Sequence, residues 1–478
     1  MLQIIGRCCV GYHGGMHAGC GFLGVFGDSA LIWLASHFLV VLGVAMVGLA
    51  MLFVLQQRRS PQSAAAWLLF ILLLPYVALP VFLALGFRKQ GARFPPIRFG
   101  AIEQTAEPAP PLARALQSFG IPPASDGNEL ALHFEPTEAH AALLRCIVQA
   151  QRSLDITFYL LADDASGQEF VEALIVRAEA GVAVRLILDR LGALHRPKAA
   201  LERLCAAGGE IRYFSPFLHR LGNGHLNLRN HRKMVIADQT QVWAGGRNIG
   251  DAYLVAGQHW IDLSFSLQGP AVQTYSDVFA ADWGIICALP RAPVMQGAGT
   301  GTITAQLGPC GPDTPDDPLH DALVCAIHRA DHSIWLTTPY FLPTEALLQA
   351  LGTAARRGVD VRIMLPQTSN QWVADLARGA YLRELHAAGC KILRLRQGML
   401  HAKIGMIDDL AWVGSANFDV RSMLLNFESA LMLYDSAPVT ALRDWFCGLE
   451  PLCATGVVNP NLLRRCAEGI FRLGAPML

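Results

Sequence analysis

Two segments decide how this chain is read: HRKMVIAD at residues 231–238 and HAKIGMID at residues 401–408. Each carries a histidine, a lysine two positions on and an aspartate seven positions on, within an apolar run that reads as a strand. In an extended chain, residues i and i+2 point to the same side. His231 therefore shares a face with Lys233, and His401 with Lys403, while Asp238 and Asp408 fall on the opposite face. Each segment runs on into a glycine turn that ends in asparagine: Gly245-Gly246-Arg247-Asn248 and Gly414-Ser415-Ala416-Asn417. The second copy is one residue shorter between aspartate and glycine, which predicts a tighter turn that includes Asp409.

Working outward, the rest of the body repeats as well. AHAALLRCIVQAQRSLDITFYLL (139–161) matches HDALVCAIHRADHSIWLTTPYFL (320–342), each a helical period running into a β-rich stretch. GVAVRLILD (181–189) matches GVDVRIMLP (358–366), and AAGGEIRYF (206–214) matches AAGCKILRL (387–395). Four matching segments in one order indicate duplication of a β-α-β-α unit, and hence an α/β fold with a mixed sheet flanked by helices in each half. The expected lobes are 126–295 and 296–478, with motifs at 231–248 and 401–417.

Placed across a pseudo-twofold axis, the two motifs bring two imidazoles and two ammonium groups to one pocket. A phosphodiester needs a nucleophile, a proton donor for the leaving alcohol and positive donors for its non-bridging oxygens. Histidine attacks phosphorus or relays protons near neutral pH. Lys233 and Lys403, with Asn248 and Asn417 from the turns, are suited to hold the oxygens. This donor set requires no metal and no cofactor.

The N-terminal region has another character. Residues 30–55 and 64–86 contain no Asp, Glu, Lys or Arg, and about 20 such residues span a bilayer as a helix. They predict a membrane anchor over 28–87 with two transmembrane helices, Pro75 and Pro80 kinking the second. Arg58 and Arg59 lie between the spans, and Arg88, Lys89, Arg93 and Arg98 beyond them, which places the lobes in the cytoplasm. Residues 1–27 read as a leader; His13, His17 and Cys20 within it are not read as a metal cluster. Residues 88–125, rich in Pro, Ala and Gly, read as a linker. With 16% charged residues, well below the soluble average of about 25%, part of the chain belongs in lipid. Zero net charge provides no general attraction to nucleic acid. Twelve cysteines without framework spacing read as reduced thiols.

The paired motifs resemble those of the phospholipase D superfamily. That resemblance implies a covalent phosphohistidine on one histidine and general acid–base work by the other; the N-terminal His231 takes the first role and His401 the second. Asp238 and Asp408 belong to the catalytic signature, although their place on the far face suits an orienting or structural part. The resemblance further suggests that Asp262 and Glu428 hydrogen-bond the imidazoles, within a half or crosswise between halves. No role is evident for Arg421.

Soluble phospholipases, nucleases and lipid synthases share these motifs, so the fold leaves the substrate open. RRSPQSAAAWLLFILLLPYVALPVFLALG, GGRNIGDAYL, TPYFLPTEALL and GSANFDVRS are similar to segments of bacterial cardiolipin synthases. The resemblance covers about residues 55–478. It implies a multi-pass enzyme of the bacterial inner membrane that turns two phosphatidylglycerols into cardiolipin and glycerol. The alternatives are a membrane phospholipase D, transfer to serine or another alcohol, a phosphatidylethanolamine donor, and a tethered nuclease.

Overall fold

The computed structural model describes residues 22–56, 61–86, 94–102, 110–214, 228–258, 260–287, 299 and 301–473. They divide into two compact units, Met1–Phe82 and Leu83–Leu478. His13, His17 and Cys20 lie outside the described residues, as do Arg58, Arg59, Arg88, Lys89, Arg93 and the 295/296 lobe boundary.

In the first unit the charge-free run 30–55 lies within a helix over Phe22–Gln56. Among the described residues, Leu31–Gln56 is the helix long and apolar enough to cross a membrane. The second run differs from the expected single span. It forms two helices, Pro61–Leu73 of 13 residues and Pro75–Leu85 of 11, separated at Leu74. Pro75 is the cause: a proline ring disfavours the helical conformation in the residue before it, while proline itself is at home in the first turn of a new helix. Val54, Ile71, Ala78 and Phe82 pack together, with Trp67 edge-on to Phe82 at 5.1 Å.

In the second unit the sequence repeat becomes a repeated sheet. Ser153–Phe158, Ala183–Asp189 and Glu210–Phe214 pair in parallel. Met234–Ala237, Gln241–Gly245, Ser264–Gln268 and Ser125–His133 continue the sheet antiparallel. The second half repeats the pattern: Ser333–Thr337, Asp360–Pro366 and Lys391–Leu395 in parallel, then Ile404–Ile407, Leu410–Gly414, Glu428–Leu433 and Ile303–Cys310 antiparallel. Cys453–Thr455 adds an edge strand. Ser125–His133 meets Ile303–Cys310 in an irregular pairing, so fifteen strands follow one order. Helices such as Ala165–Glu179 and Glu345–Arg356 make the crossovers that parallel strands require. The covered strands are accordingly apolar almost throughout, as in LILD (186–189) and IMLP (363–366). Cys146, Cys310, Cys390 and Cys453 are free thiols buried in this body.

Two expectations need correction. The segment 88–125 is not only a linker: Phe94 and Ile97 are buried, and the helix Pro111–Ser118 buries Leu112 and Leu116 in the second lobe's core. Its proline content disguised apolar residues at regular spacing. The His-x-Lys residues precede their strands, which begin at Met234 and Ile404. What pins them is main-chain pairing with the other lobe.

Candidate active site

The lead-in to each motif is held by the opposite half. The main-chain N–H of His231 donates to the Phe427 carbonyl at 2.9 Å, and that of His401 to the Ile261 carbonyl at 2.7 Å. Met399–Leu400 pairs in parallel with Trp260–Ile261, and Asn230 bridges to Phe427. In both places the accepting residue is followed directly by an acid, Glu428 or Asp262. Backbone pairing therefore sets each histidine beside the carboxylate of the other lobe.

Glu428 Oε2 lies 3.0 Å from His231 Nδ1, and Asp262 Oδ2 lies 2.6 Å from His401 Nδ1. His231 Nδ1 also faces the Ser415 carbonyl at 3.1 Å. A carbonyl can only accept, so Nδ1 carries the proton and Nε2 keeps its lone pair. Ser415 Oγ donates to Glu428 Oε2 at 2.6 Å. Its counterpart in the repeat, Gly246, has no such option: a Cβ there would come within 2.2 Å of Asp262 Oδ1. The two halves are thus alike in plan and unlike in detail.

Electrostatics follow from burial. Desolvation lowers the His231 pKa, with Lys233 and Lys403 adding to it against the pull of Glu428. The same desolvation, with Lys403 beside the ring, takes His401 down to about 3 despite Asp262. Burial brings Lys233 to about 7 and Lys403 to about 8, opposed by the buried carboxylates. Burial alone would raise Asp262, but Lys403 and His401 hold it at about 2. Lys233 Nζ donates to the His231 carbonyl at 2.6 Å, and Lys403 Nζ lies 2.7 Å from His401 Nδ1. When protonated, the two lysines balance the charges of Asp262 and Glu428.

His231 and His401 line one cavity of about 500 Å³, together with Asn248, Asn417, Arg229 and Arg421. Asn248 is partly committed: its Oδ1 accepts from the Leu160 N–H at 3.3 Å and its Nδ2 donates to Tyr253 Oη at 3.1 Å. The buried Oδ1 of Asn417 has no hydrogen-bond partner among the described residues. Asp238 and Asp408 are placed elsewhere. Both sit in turns at positive φ, 52° and 46°, at the far end of their strands. Asp238 accepts the N–H groups of Gln151, Arg152 and Ser153; Asp408 accepts those of Asp331, His332 and Ser333. The hairpin is two residues long at Asp408-Asp409 and three at 238–240, which accounts for the missing residue.

Sequence reasoning overlooked several lining residues. Tyr159 and Tyr340 occupy the same place in the repeat and both face the cavity; Tyr159 meets the His231 ring edge-on at 5.1 Å. Their match in FYLL and PYFL was a usable signal. Arg229 and Asp419 had none, because neither has a counterpart in the other copy. Asp419, raised to about 6 by burial, caps the short helix Val420–Leu424 and borders the cavity.

A family model described as "Cardiolipin synthase, PLD-like domain" matches residues 143–283 and 323–449, which include both motifs. The chain belongs to the cardiolipin synthase family of phospholipase D-like proteins. The cardiolipin synthase A of Escherichia coli O157:H7 is 31% identical over 93% of this chain and 98% of that protein. Cardiolipin synthase 2 of Bacillus anthracis is 35% identical over 71% of this chain and 69% of that one. Among solved structures, the phosphatidylserine synthase of Haemophilus influenzae Rd KW20 superposes with a TM-score of 0.60. It is 13% identical and covers 77% of this chain and all of that one, a likeness of fold. The shared cavity is thus lined by both imidazoles, each backed by the other lobe's carboxylate. Among the described residues, no group of three or more His, Cys, Asp or Glu is arranged to hold a metal ion.

Proposed function

We propose that this chain is a cardiolipin synthase that transfers a phosphatidyl group from one phosphatidylglycerol to the hydroxyl of another. The observation that carries the reading is the meeting of His231 and His401 in one cavity, each backed by the other lobe's carboxylate. In the first step His231 Nε2 attacks phosphorus, and the bond from phosphorus to the headgroup glycerol oxygen breaks. His401 delivers a proton to that oxygen and glycerol leaves. In the second step the glycerol hydroxyl of another phosphatidylglycerol gives its proton to His401. Its oxygen attacks phosphorus, the P–N bond breaks and cardiolipin departs. One primary alcohol ester replaces another, so no external energy source is needed.

The protonation pattern supports these roles. Nδ1–H on His231 leaves Nε2 free to attack. His401, at about 3, is neutral near pH 7; an anionic phosphodiester entering beside it raises its proton affinity and prepares it to act as acid. Lys233, Lys403, Asn417 and the free hydrogen of the Asn248 amide are assigned to the non-bridging oxygens. Arg229 and Arg421, which line the same cavity, suit the phosphate of the second anionic lipid. Asp238 and Asp408 are assigned to scaffolding. The long apolar helix and the two shorter ones after it are assigned to a bacterial inner-membrane anchor, the lobes facing the cytoplasm.

The purified protein in detergent, given phosphatidylglycerol and EDTA, is expected to yield cardiolipin and glycerol, identified by mass spectrometry. Phosphatidic acid as the sole lipid product, or turnover only after metal is added, would overturn the assignment. A phosphatidyl adduct trapped on His401 and never on His231 would reverse the two roles.

A further inference from the structure

The C-terminal helix Leu462–Leu473 has the sequence LLRRCAEGIFRL. At 3.6 residues per turn, Leu462, Leu463, Cys466, Ala467 and Ile470 fall on one side, and Arg464, Arg465, Glu468 and Arg472 on the other. A helix on a water-soluble body turns its apolar side inward. This one does the reverse.

Its contacts with the helix Trp372–Ala387 are made by the polar side. Glu468 is buried, pairs with Arg383 at 2.6 Å and Arg464 at 3.2 Å, and packs where Gly379 leaves room for its carboxylate. The Arg472 guanidinium lies over the Tyr381 ring at 4.3 Å and 3.7 Å from the Glu384 carboxylate. The apolar side is left outward, with Leu462 75%, Leu463 81% and Ile470 68% exposed. Trp372, 66% exposed and edge-on to Phe471 at 5.6 Å, extends the patch. Trp372 directly follows Asn370 and Gln371, which line the active-site cavity, so the patch runs up to the cavity's rim.

We propose that this inverted helix, with Trp372, is an interfacial docking surface that rests on an anionic phospholipid bilayer and admits lipid to the cavity edge. The proposal rests on the reading that the substrates are bilayer phospholipids. Two features select a lipid surface as the occupant. Ion pairs fix the helix by its charged side, so its apolar side is presented rather than left over. The patch is continuous with the cavity that the headgroup must enter.

The test uses the full-length protein in proteoliposomes that contain phosphatidylglycerol with a photoreactive acyl chain. Peptides covering 462–473 and Trp372 are expected to carry acyl crosslinks. A second arm compares the native chain with the triple variant Leu462→Ser, Leu463→Ser, Ile470→Ser. Its KM for bilayer phosphatidylglycerol is expected to rise about five- to tenfold. Its turnover of monomeric dihexanoyl phosphatidylglycerol in detergent is expected to stay unchanged. Equal loss on both substrates in a variant with native thermal unfolding, or no acyl crosslink on these peptides, would overturn the proposal. Crosslinks between the 462–473 segments of two copies in place of lipid would also overturn it and make the face a dimer contact. If the triple variant does not fold, crosslinking of the native chain decides. Absence of cardiolipin from the native chain would instead overturn the proposed reaction, while the acyl crosslinks still judge the surface.

Discussion

His231 and Glu428 stand 197 residues apart in the chain and 3.0 Å apart in space, the carboxylate of one lobe orienting the imidazole of the other. His401 and Asp262 mirror them at 2.6 Å. The crossing gives each lobe's histidine a carboxylate that only the other lobe supplies.

Glu428→Gln is expected to lower the transfer rate about 10²- to 10⁴-fold, because the amide no longer stabilises charge on the imidazole. If His231 is the nucleophile, this variant also traps less phosphatidyl-enzyme, whereas Asp262→Asn slows release of the trapped intermediate. Single-turnover measurements with radiolabelled lipid separate the two. Indistinguishable behaviour of the variants would count against distinct roles.

The lysines set a pH limit. With pKa values of about 7 for Lys233 and about 8 for Lys403, the two ammonium charges are lost as pH rises through that range. Because kcat/KM reports the free enzyme, it is expected to fall above pH ~7–8. Lys233→Arg, whose guanidinium stays charged, should move the alkaline limb upward even if the absolute rate drops. A pH profile of kcat/KM in mixed micelles checks this.

Asp238 and Asp408 predict a stability phenotype. Three main-chain N–H groups on each carboxylate hold its pKa below the usual 3.8, although burial works the other way. The contribution is therefore complete above pH ~4 and is lost as pH falls through the lowered folded value. Asp238→Ala is expected to cost about 1–2 kcal/mol after discounting for partial exposure. Acid unfolding should begin at higher pH, with kcat at neutral pH nearly unchanged in the folded fraction. Thermal melts across pH 3–7 check the sign.

Arg232 lies between the His and Lys of the first motif and is fully buried with Asp282 and, at 3.0 Å, Asp313. Arg232→Met strands two buried carboxylates and is expected to cost about 3–5 kcal/mol. Chemical denaturation of the variant beside the native chain measures it, and a cost under ~1 kcal/mol would show that the acids simply take up protons.

Much of the site was legible in the chain itself. The i, i+2 spacing of His and Lys, the repeat of four segments and the alternation of helical and strand periods are local properties, so they determine the α/β duplication and name the two His-Lys pairs. Other features depended on partners distant in sequence. Asp262 follows His231 by 31 positions, yet it serves His401, because the Ile261 carbonyl receives the His401 N–H across the lobe interface. The proton on His231 Nδ1 is placed by a Ser415 carbonyl 184 residues away. Pro75 decides that the second apolar run breaks into two helices, and Arg383 decides that the last helix buries its charged side. Periodicity reveals which side of an element is apolar; only the packed chain determines what that side meets.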